Sequence, residues 1–125
     1  MYNEQHERKK ATSVAIHQPN FLPWIGYFYK ILKSDMFVFL DNVQFTKNSY
    51  INRSKIKTSQ GELWLTIPVL HQFGQSISQA KINNSFDWRK KHLKTIELNY
   101  KKAPFFNEVY ELIKGVYYDS DWHYI

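Results

Sequence analysis

The chain lacks cysteine altogether and has only four glycines and four prolines among its 125 residues. The lack of cysteine excludes disulfide bonds and thiolate catalysis and is typical of a cytoplasmic protein. No apolar stretch approaches the ~20 residues that a membrane-spanning helix needs. Residues 1–12 are polar and charged, without the apolar region of a signal peptide. We therefore expect a flexible leader over residues 1–12 and a single domain over residues 13–125.

The chain is basic, with 17 lysines and arginines against 11 acidic residues and a formal net charge of +6. A hydrophobic content of 43% indicates a globular protein, and the charge favours an anionic partner. Helix-turn-helix, zinc-finger and RRM signatures are absent from the sequence, so nucleic acid is the less favoured partner. A phosphorylated small molecule, such as a nucleotide-sugar, needs only a few of these cations.

A strand, a stiff loop and a helix are predicted in succession near the start of the chain. Residues 13–16 form a short apolar run typical of a buried strand, and His17 follows at its carboxyl end. Pro19 and Pro23 stiffen the loop that comes next. Apolar residues then recur at the i, i+3, i+4 and i+7 spacing of one helix face, over a helix predicted at residues 26–33. These residues are Ile25, Phe28, Tyr29 and Leu32.

A second strand is predicted over residues 36–40, and it is apolar throughout, as a parallel strand covered on both faces would be. The result is a β-α-β unit with a right-handed crossover. Asp41 follows this strand at the edge where His17 ends the first one. Open α/β sheets bind ligands at such carboxyl ends, so we expect a shared site there.

The remainder predicts a β-hairpin and a helical C-terminal segment. The hairpin pairs residues 56–58 with 62–67 around a turn at 59–61, and Pro68 ends its second strand. Residues 71–84 read as a loop, either a lid or a connector, with a short strand at 77–82. Asp87 caps a helix to residue 100, and a second helix spans 104–117. The two helices are predicted to pack through Leu93, Ile96, Val109 and Ile113. The predicted fold class is α/β.

A set of motifs follows in order along the chain. They are His17-Gln18-Pro19-Asn20, Pro23-Trp24, Gly26-Tyr27-Phe28, Phe37 to Asp41, Val43-Gln44-Phe45, Asn52-Arg53, Ile56-Lys57-Thr58 and Trp64 to Val69. With these motifs the chain resembles the WbqC-like proteins over residues 14–69 and again over 88–106, and it is similar to the amino-terminal half of a typical member. That resemblance implies a role in bacterial O-antigen or other surface-polysaccharide biosynthesis, acting on an amino sugar or its nucleotide-linked precursor.

A looser likeness connects the first strand and helix to nucleotidyltransferases with an H-x-G-H signature. Pro23 is followed here by Trp24-Ile25-Gly26-Tyr27, so both signature histidines are replaced. The likeness implies a nucleotidyltransferase-like topology without that chemistry, because function resides in the site and not in the architecture.

Two residues are candidates for catalysis. His17 is either a general base or phosphate binder, or a ring that hydrogen-bonds neighbouring backbone; the motif favours the first role. Asp41 either orients His17, binds a sugar hydroxyl or caps a turn. These two residues would supply only two metal ligands, so we predict no metal site. No cofactor is identified.

Eight further residues are candidates for substrate binding: Gln18, Asn20, Trp24, Tyr27, Gln44, Lys47, Asn52 and Arg53. Lys47 and Arg53 either hold phosphates or form a solvated pair beside a loop. Trp24 and Tyr27 are core residues or a stacking surface for a sugar or base. Gln44 either contacts substrate or lies on the outward face of a strand. Trp64 is predicted to pack under the hairpin, and His92 to lie on the surface or between helices.

Two classes of function remain open. The chain is an enzyme that transfers a group to or from a nucleotide-linked sugar, or it is a non-catalytic binding or assembly module of a shortened family member. A homo-oligomer is compatible with either function.

Overall fold

The computed structural model describes residues 12–70, 72–119 and 122–125. Except for Thr12, the predicted leader lies outside the described residues. The secondary structure is, in chain order, β1 (Val14–His17), α1 (Ile25–Lys33), β2 (Met36–Phe39), β3 (Arg53–Thr58), β4 (Gly61–Thr66), β5 (Val69–Leu70), a 3-10 turn (Ile77–Gln79), β6 (Lys81–Ile82), α2 (Trp88–Tyr100) and α3 (Phe106–Tyr118).

The predicted β-α-β opening is confirmed. Strands β1 and β2 pair in parallel, from Val14 opposite Met36 to His17 opposite Phe39. The Asp35 carboxylate accepts hydrogen bonds of 2.8 Å from both the backbone nitrogen and the hydroxyl of Ser13, which fixes the start of the pair. These bonds also lower the pKa of Asp35, because they stabilise its ionised form.

Helix α1 forms as predicted, but its apolar stripe points away from the core. Tyr27, at 4% exposure, is the buried residue of this helix. The predicted stripe is largely exposed, with Ile25 at 83% and Leu32 at 82%. We call Ile25, Phe28, Tyr29 and Leu32 the α1 stripe. Regular spacing identified a helix face correctly, but spacing alone does not say what covers that face.

The strand pair is covered on one side only, which contradicts the prediction that β2 is buried on both faces. Side chains alternate along a strand, and Phe37 turns toward Tyr27 at 5.5 Å between ring centres. The alternate residues Val14, Ile16, Met36 and Val38 are between 37% and 55% exposed. We call these four the open sheet face. Their exposure shows that this face of the two-stranded sheet has no covering layer among the described residues.

The hairpin is confirmed, with shifted bounds. It begins at Arg53 rather than residue 56, and Gly61 supports the tight turn with a φ of +112°. Beyond Pro68 the chain resumes as β5, which pairs antiparallel with β6. The strand predicted over 77–82 is limited to β6, because Ile77–Gln79 forms a 3-10 turn instead.

The two C-terminal helices are confirmed. The Asp87 carboxylate caps α2 by accepting from the Lys90 nitrogen at 3.2 Å. Leu93 and Ile96 are buried as predicted, whereas Val109 is 50% exposed and was wrongly assigned to the core. The second helix starts at Phe106, two residues after Pro104, so the proline lies in the preceding turn.

The core lies beneath the hairpin and the last two helices. One cluster consists of Ile67, Ile82, Trp88, Leu93 and Tyr117. A second cluster consists of Phe45, Ile51, Ile77 and Ala80, and Ile125 packs against both. The fold is therefore mixed α/β with small two-stranded sheets and a helical C-terminal segment. A nucleotidyltransferase-like topology is not confirmed.

Burial predicts how the two helices contribute to stability. Replacing Leu93, at 5% exposure, with Ala should lower the free energy of unfolding by about 2–5 kcal/mol, through lost burial and the cavity left behind. Ile113→Ala should cost less, because Ile113 is only partly buried. Urea unfolding of both variants measures the difference, and equal losses would mean that the packing of α3 is wrongly described.

Candidate functional site

The carboxyl end of β1 holds His17 in a defined tautomer. Its Nδ1 lies 2.8 Å from the Gln18 carbonyl oxygen. Since a carbonyl only accepts, Nδ1 bears a proton, and in the neutral ring the lone pair then lies on Nε2. Nε2 has no hydrogen-bond partner among the described residues. An oriented imidazole with an available lone pair is the form that a general base requires.

Tyr27 of α1 contacts both His17 and Gln18 at the carboxyl end of β1. Its hydroxyl donates to the Gln18 carbonyl at 3.0 Å, and its ring meets the His17 ring edge-on at 4.9 Å. Burial raises the pKa of Tyr27, so the hydroxyl keeps its proton and remains a donor. Tyr27 thus acts from the core, whereas Gln18 contributes its backbone carbonyl to the site.

The loop between β1 and α1 is anchored on the hairpin. The Phe21 nitrogen donates to the Tyr50 carbonyl at 2.9 Å, and the Ser54 hydroxyl donates to the Leu22 carbonyl at 3.1 Å. Leu22 adopts a positive φ of +43°, which is strained for a residue with a branched side chain. Strained backbone of this kind is found preferentially at functional sites.

A cleft of about 580 Å³ opens between this loop and the hairpin. Trp24 at the start of α1 is 71% exposed, and its indole lies so close over Gly26 that a Cβ there would overlap the ring. Glycine is therefore needed at position 26 for the indole to take this position. The cleft combines aromatic, amide, hydroxyl and cationic side chains: Asn20, Trp24, Tyr50, Ser54 and Lys55 are among its lining residues.

Two cations and two aromatic rings meet beside the cleft. The Arg53 guanidinium carbon lies 4.0 Å from the centre of the Trp64 ring, and Lys55 Nζ lies 5.1 Å from it. Tyr50 contacts the same indole at 5.4 Å between ring centres. Trp64 therefore stabilises neighbouring like charges through the negative faces of its π system.

The two cations have different partners. Arg53 Nη2 donates to the Asn48 carbonyl, while its Nε is buried without a partner among the described residues. Lys55 forms a salt bridge with Glu62, which raises the pKa of the lysine. Lys55 thus stays charged where the loop and the hairpin meet.

Other predicted site residues lie elsewhere. The Asp41 carbonyl accepts from the Ser78 nitrogen at 2.9 Å, and Gln44 pairs with Ser76 in an antiparallel bridge. Asp41, Gln44 and Lys47 are exposed and are not among the residues that line the cleft. The grouping of all the candidate residues around one cleft therefore stays a prediction.

Asn52 is buried in the hairpin base. It is 6% exposed, and its Nδ2 donates to the Ile67 carbonyl at 3.0 Å. The Ile67 nitrogen in turn donates to the Asn52 carbonyl at 2.7 Å. This reciprocal pair positions the start of β3 and thereby the neighbouring Arg53.

Sequence reasoning missed Tyr50, Ser54 and Lys55 as cleft residues. The hairpin pairs Lys55 directly with Trp64, a register that a two-residue turn at Ser59 and Gln60 fixes. With the turn placed correctly, the alternation of β3 would have put Arg53 and Lys55 on one face. This alternation was present in the sequence, but the predicted strand began at residue 56 and so left out both Arg53 and Lys55.

His92 joins three elements in the core. Its Nε2 lies 3.0 Å from the Thr66 carbonyl of β4, and its Nδ1 lies 3.1 Å from the Tyr117 hydroxyl of α3. Nε2 therefore donates to that carbonyl. Burial lowers the pKa of His92, so the ring is neutral and Nδ1 accepts from the Tyr117 hydroxyl. Of the two positions predicted for His92, on the surface or between helices, the second is correct.

The described residues contain no cluster of histidine, aspartate or glutamate that could hold a metal ion. None of the described helices is both long and apolar enough to cross a membrane.

The fold and the cleft define a mixed α/β protein with an aromatic, cationic groove, and His17 is not among the residues that line that groove. The chain belongs to the WbqC-like protein family, whose profile matches residues 18–125, so the resemblance seen in the motifs is confirmed. It is similar to the uncharacterized protein Rv1507c of Mycobacterium tuberculosis, with 41% identity over 109 residues. That match covers 86% of this chain and 47% of the relative, so the chain spans about half the length of that protein. No solved structure matches the chain.

The buried neutral His92 predicts a loss of stability in acid. Its folded pKa lies below the ordinary value of about 6.5, so the unfolded chain binds more protons below that pH. The stabilisation is full above about pH 6.5 and is lost as the pH falls toward the lowered folded pKa. Melting temperatures between pH 8 and 5 should therefore fall more steeply for the natural chain than for His92→Gln. If the melting temperatures of the natural chain and of His92→Gln fell equally with pH, the role of a buried neutral His92 would be contradicted.

Proposed function

We propose that the chain binds a nucleotide-linked sugar in the cleft beside Trp24 and serves bacterial surface-polysaccharide biosynthesis, O-antigen included. The single observation that supports this proposal best is the lining of the cleft, where Trp24 and Tyr50 accompany Asn20 and Lys55. Aromatic faces suit a sugar or base ring, and amide and ammonium groups suit hydroxyls and phosphates. Membership of the WbqC-like family supports the polysaccharide context.

Charge supports a phosphorylated ligand over a neutral sugar. Lys55 lines the cleft, Arg53 lies on the adjoining indole, and the chain has a formal net charge of +6. Arg53 has one terminal nitrogen bonded to Asn48, and its other terminal nitrogen is the group proposed to reach phosphate. Lys47 lies next to Asn48 in the same loop and is proposed as a further phosphate contact.

We extend the proposal to group transfer with His17 as the general base. Nε2 takes the proton of an acceptor hydroxyl, whose oxygen bonds to the transferred group while the phosphate leaves with its bonding electrons. The Gln18 carbonyl already orients the ring, and for Asp41 we propose contact with a sugar hydroxyl rather than with His17. Gln44 is proposed as a second hydroxyl contact.

A second candidate is a binding module without catalysis. It is supported by the share of the relative that this chain covers, 47%, because a half-length chain need not contain all the groups that a reaction requires. Binding in the cleft is common to both candidates, so turnover distinguishes them.

A thermal-shift screen against nucleotides and nucleotide-sugars tests binding. A selective ligand raises the melting temperature by mass action. Lys55→Gln and Arg53→Ala should each weaken the binding of that ligand by about 10-fold or more, because a hydrogen bond to a charged group is lost. Lys94→Gln removes the same charge from an exposed position on α2 and is the matched control. Equal weakening by all three variants would indicate general charge attraction instead of a site.

His17→Gln separates binding from chemistry. With the ligand found in the screen and an acceptor alcohol, the variant should bind normally but form product at least about 100-fold more slowly, the scale of general-base catalysis. Product is measured by mass spectrometry. Absence of turnover in the natural chain would support the module, whereas turnover unaffected by the variant would exclude His17 as the base.

A further inference from the structure

The β1-α1-β2 unit exposes apolar side chains on two sides. The open sheet face has cross-strand pairs of Val14 with Met36 and of Ile16 with Val38. On the outer side of the unit, the α1 stripe is between 51% and 83% exposed. Single exposed apolar residues are ordinary, but contiguous sets on neighbouring elements indicate a surface that another polypeptide covers.

The strand pairing also indicates that a further layer covers this unit. Parallel sheets occur almost only with both faces covered, and a two-stranded sheet is marginal by itself in water. Here the parallel sheet has two strands in the described residues, and on its packed face Tyr27 contacts His17 and Phe37. The unit therefore has the form of the edge of a larger α/β layer.

The related protein indicates which polypeptide covers this apolar surface. The chain aligns with 47% of Rv1507c, which leaves about half of that protein without a counterpart in the match. We propose that the part of a full-length WbqC-like protein that has no counterpart in this match packs on the open sheet face and the α1 stripe and extends the β1-β2 sheet. It does so within one polypeptide or as a separate chain.

Charge argues against a second copy of this chain as the occupant. The first turn of α1 has no acidic residue, and its last turn has Lys30 and Lys33. An antiparallel two-fold pairing of α1 would bring these lysines to the positive end of the partner helix, which is unfavourable. The surface instead fits a partner that offers apolar side chains together with acidic groups near Lys33.

Co-expression tests the proposal. The tagged chain is produced together with the part of Rv1507c that lies outside the match, and the expected product is a one-to-one complex by light scattering. Hydrogen exchange should slow in Val14–His17, Ile25–Lys33 and Met36–Phe39. The double variant Ile25→Lys, Leu32→Lys should weaken the complex at least tenfold without unfolding the chain, because both side chains are solvent-exposed.

Leu98→Lys is the matched control, since Leu98 is a 62% exposed leucine on α2. It should leave the complex intact. The proposal is overturned if no complex forms, if protection appears outside the three segments, or if the control weakens binding equally. A homodimer of the chain alone with the same protection would identify a second copy as the occupant and would also overturn it. Ligand binding in the cleft is measured separately, so either proposal can fail alone.

Discussion

The imidazole of His92 is the constraint on which the rest of the core depends. Both ring nitrogens are used, one toward the hairpin and one toward α3, while the ring itself belongs to α2. Phe21 from the loop after β1 packs against the same imidazole at 5.9 Å between ring centres. One side chain thus fixes three elements and the loop that forms a wall of the cleft. A ring that satisfies so many neighbours is structural, although its residue type first suggests chemistry.

The fold was predictable where local signals determine it. Proline and apolar runs located β1, α1 and β2, and Asp87 located the start of α2 through its carboxylate. The outward direction of the α1 stripe was not predictable, because periodicity gives a face but not the layer that covers it. The prediction that Val109 packs in the core was wrong for the same reason. Whether an apolar side chain is buried depends on distant parts of the chain that no local pattern contains.

In the candidate site, too, local signals predicted some residues and missed those whose position depends on strand pairing. Asn20 and Trp24, which line the cleft, were predicted as site residues because they lie between a strand and a helix, where open α/β sheets expose side chains. Lys55 was missed because its importance depends on a cross-strand neighbour, Trp64, and therefore on the exact register of the hairpin. Asn52 was predicted as a ligand contact and Tyr27 as either a core residue or a stacking surface, and the structure uses both to hold other residues in place. Local motifs identify reactive residue types, and pairing decides which of them meet.

Leu22 belongs to the walls of three separate spaces. It lines the cleft, the apolar cavity that Trp88 also lines, and the apolar cavity between α2 and α3. A substitution at position 22 therefore alters the lining of all three spaces at once, and its effect on binding does not report on the cleft alone.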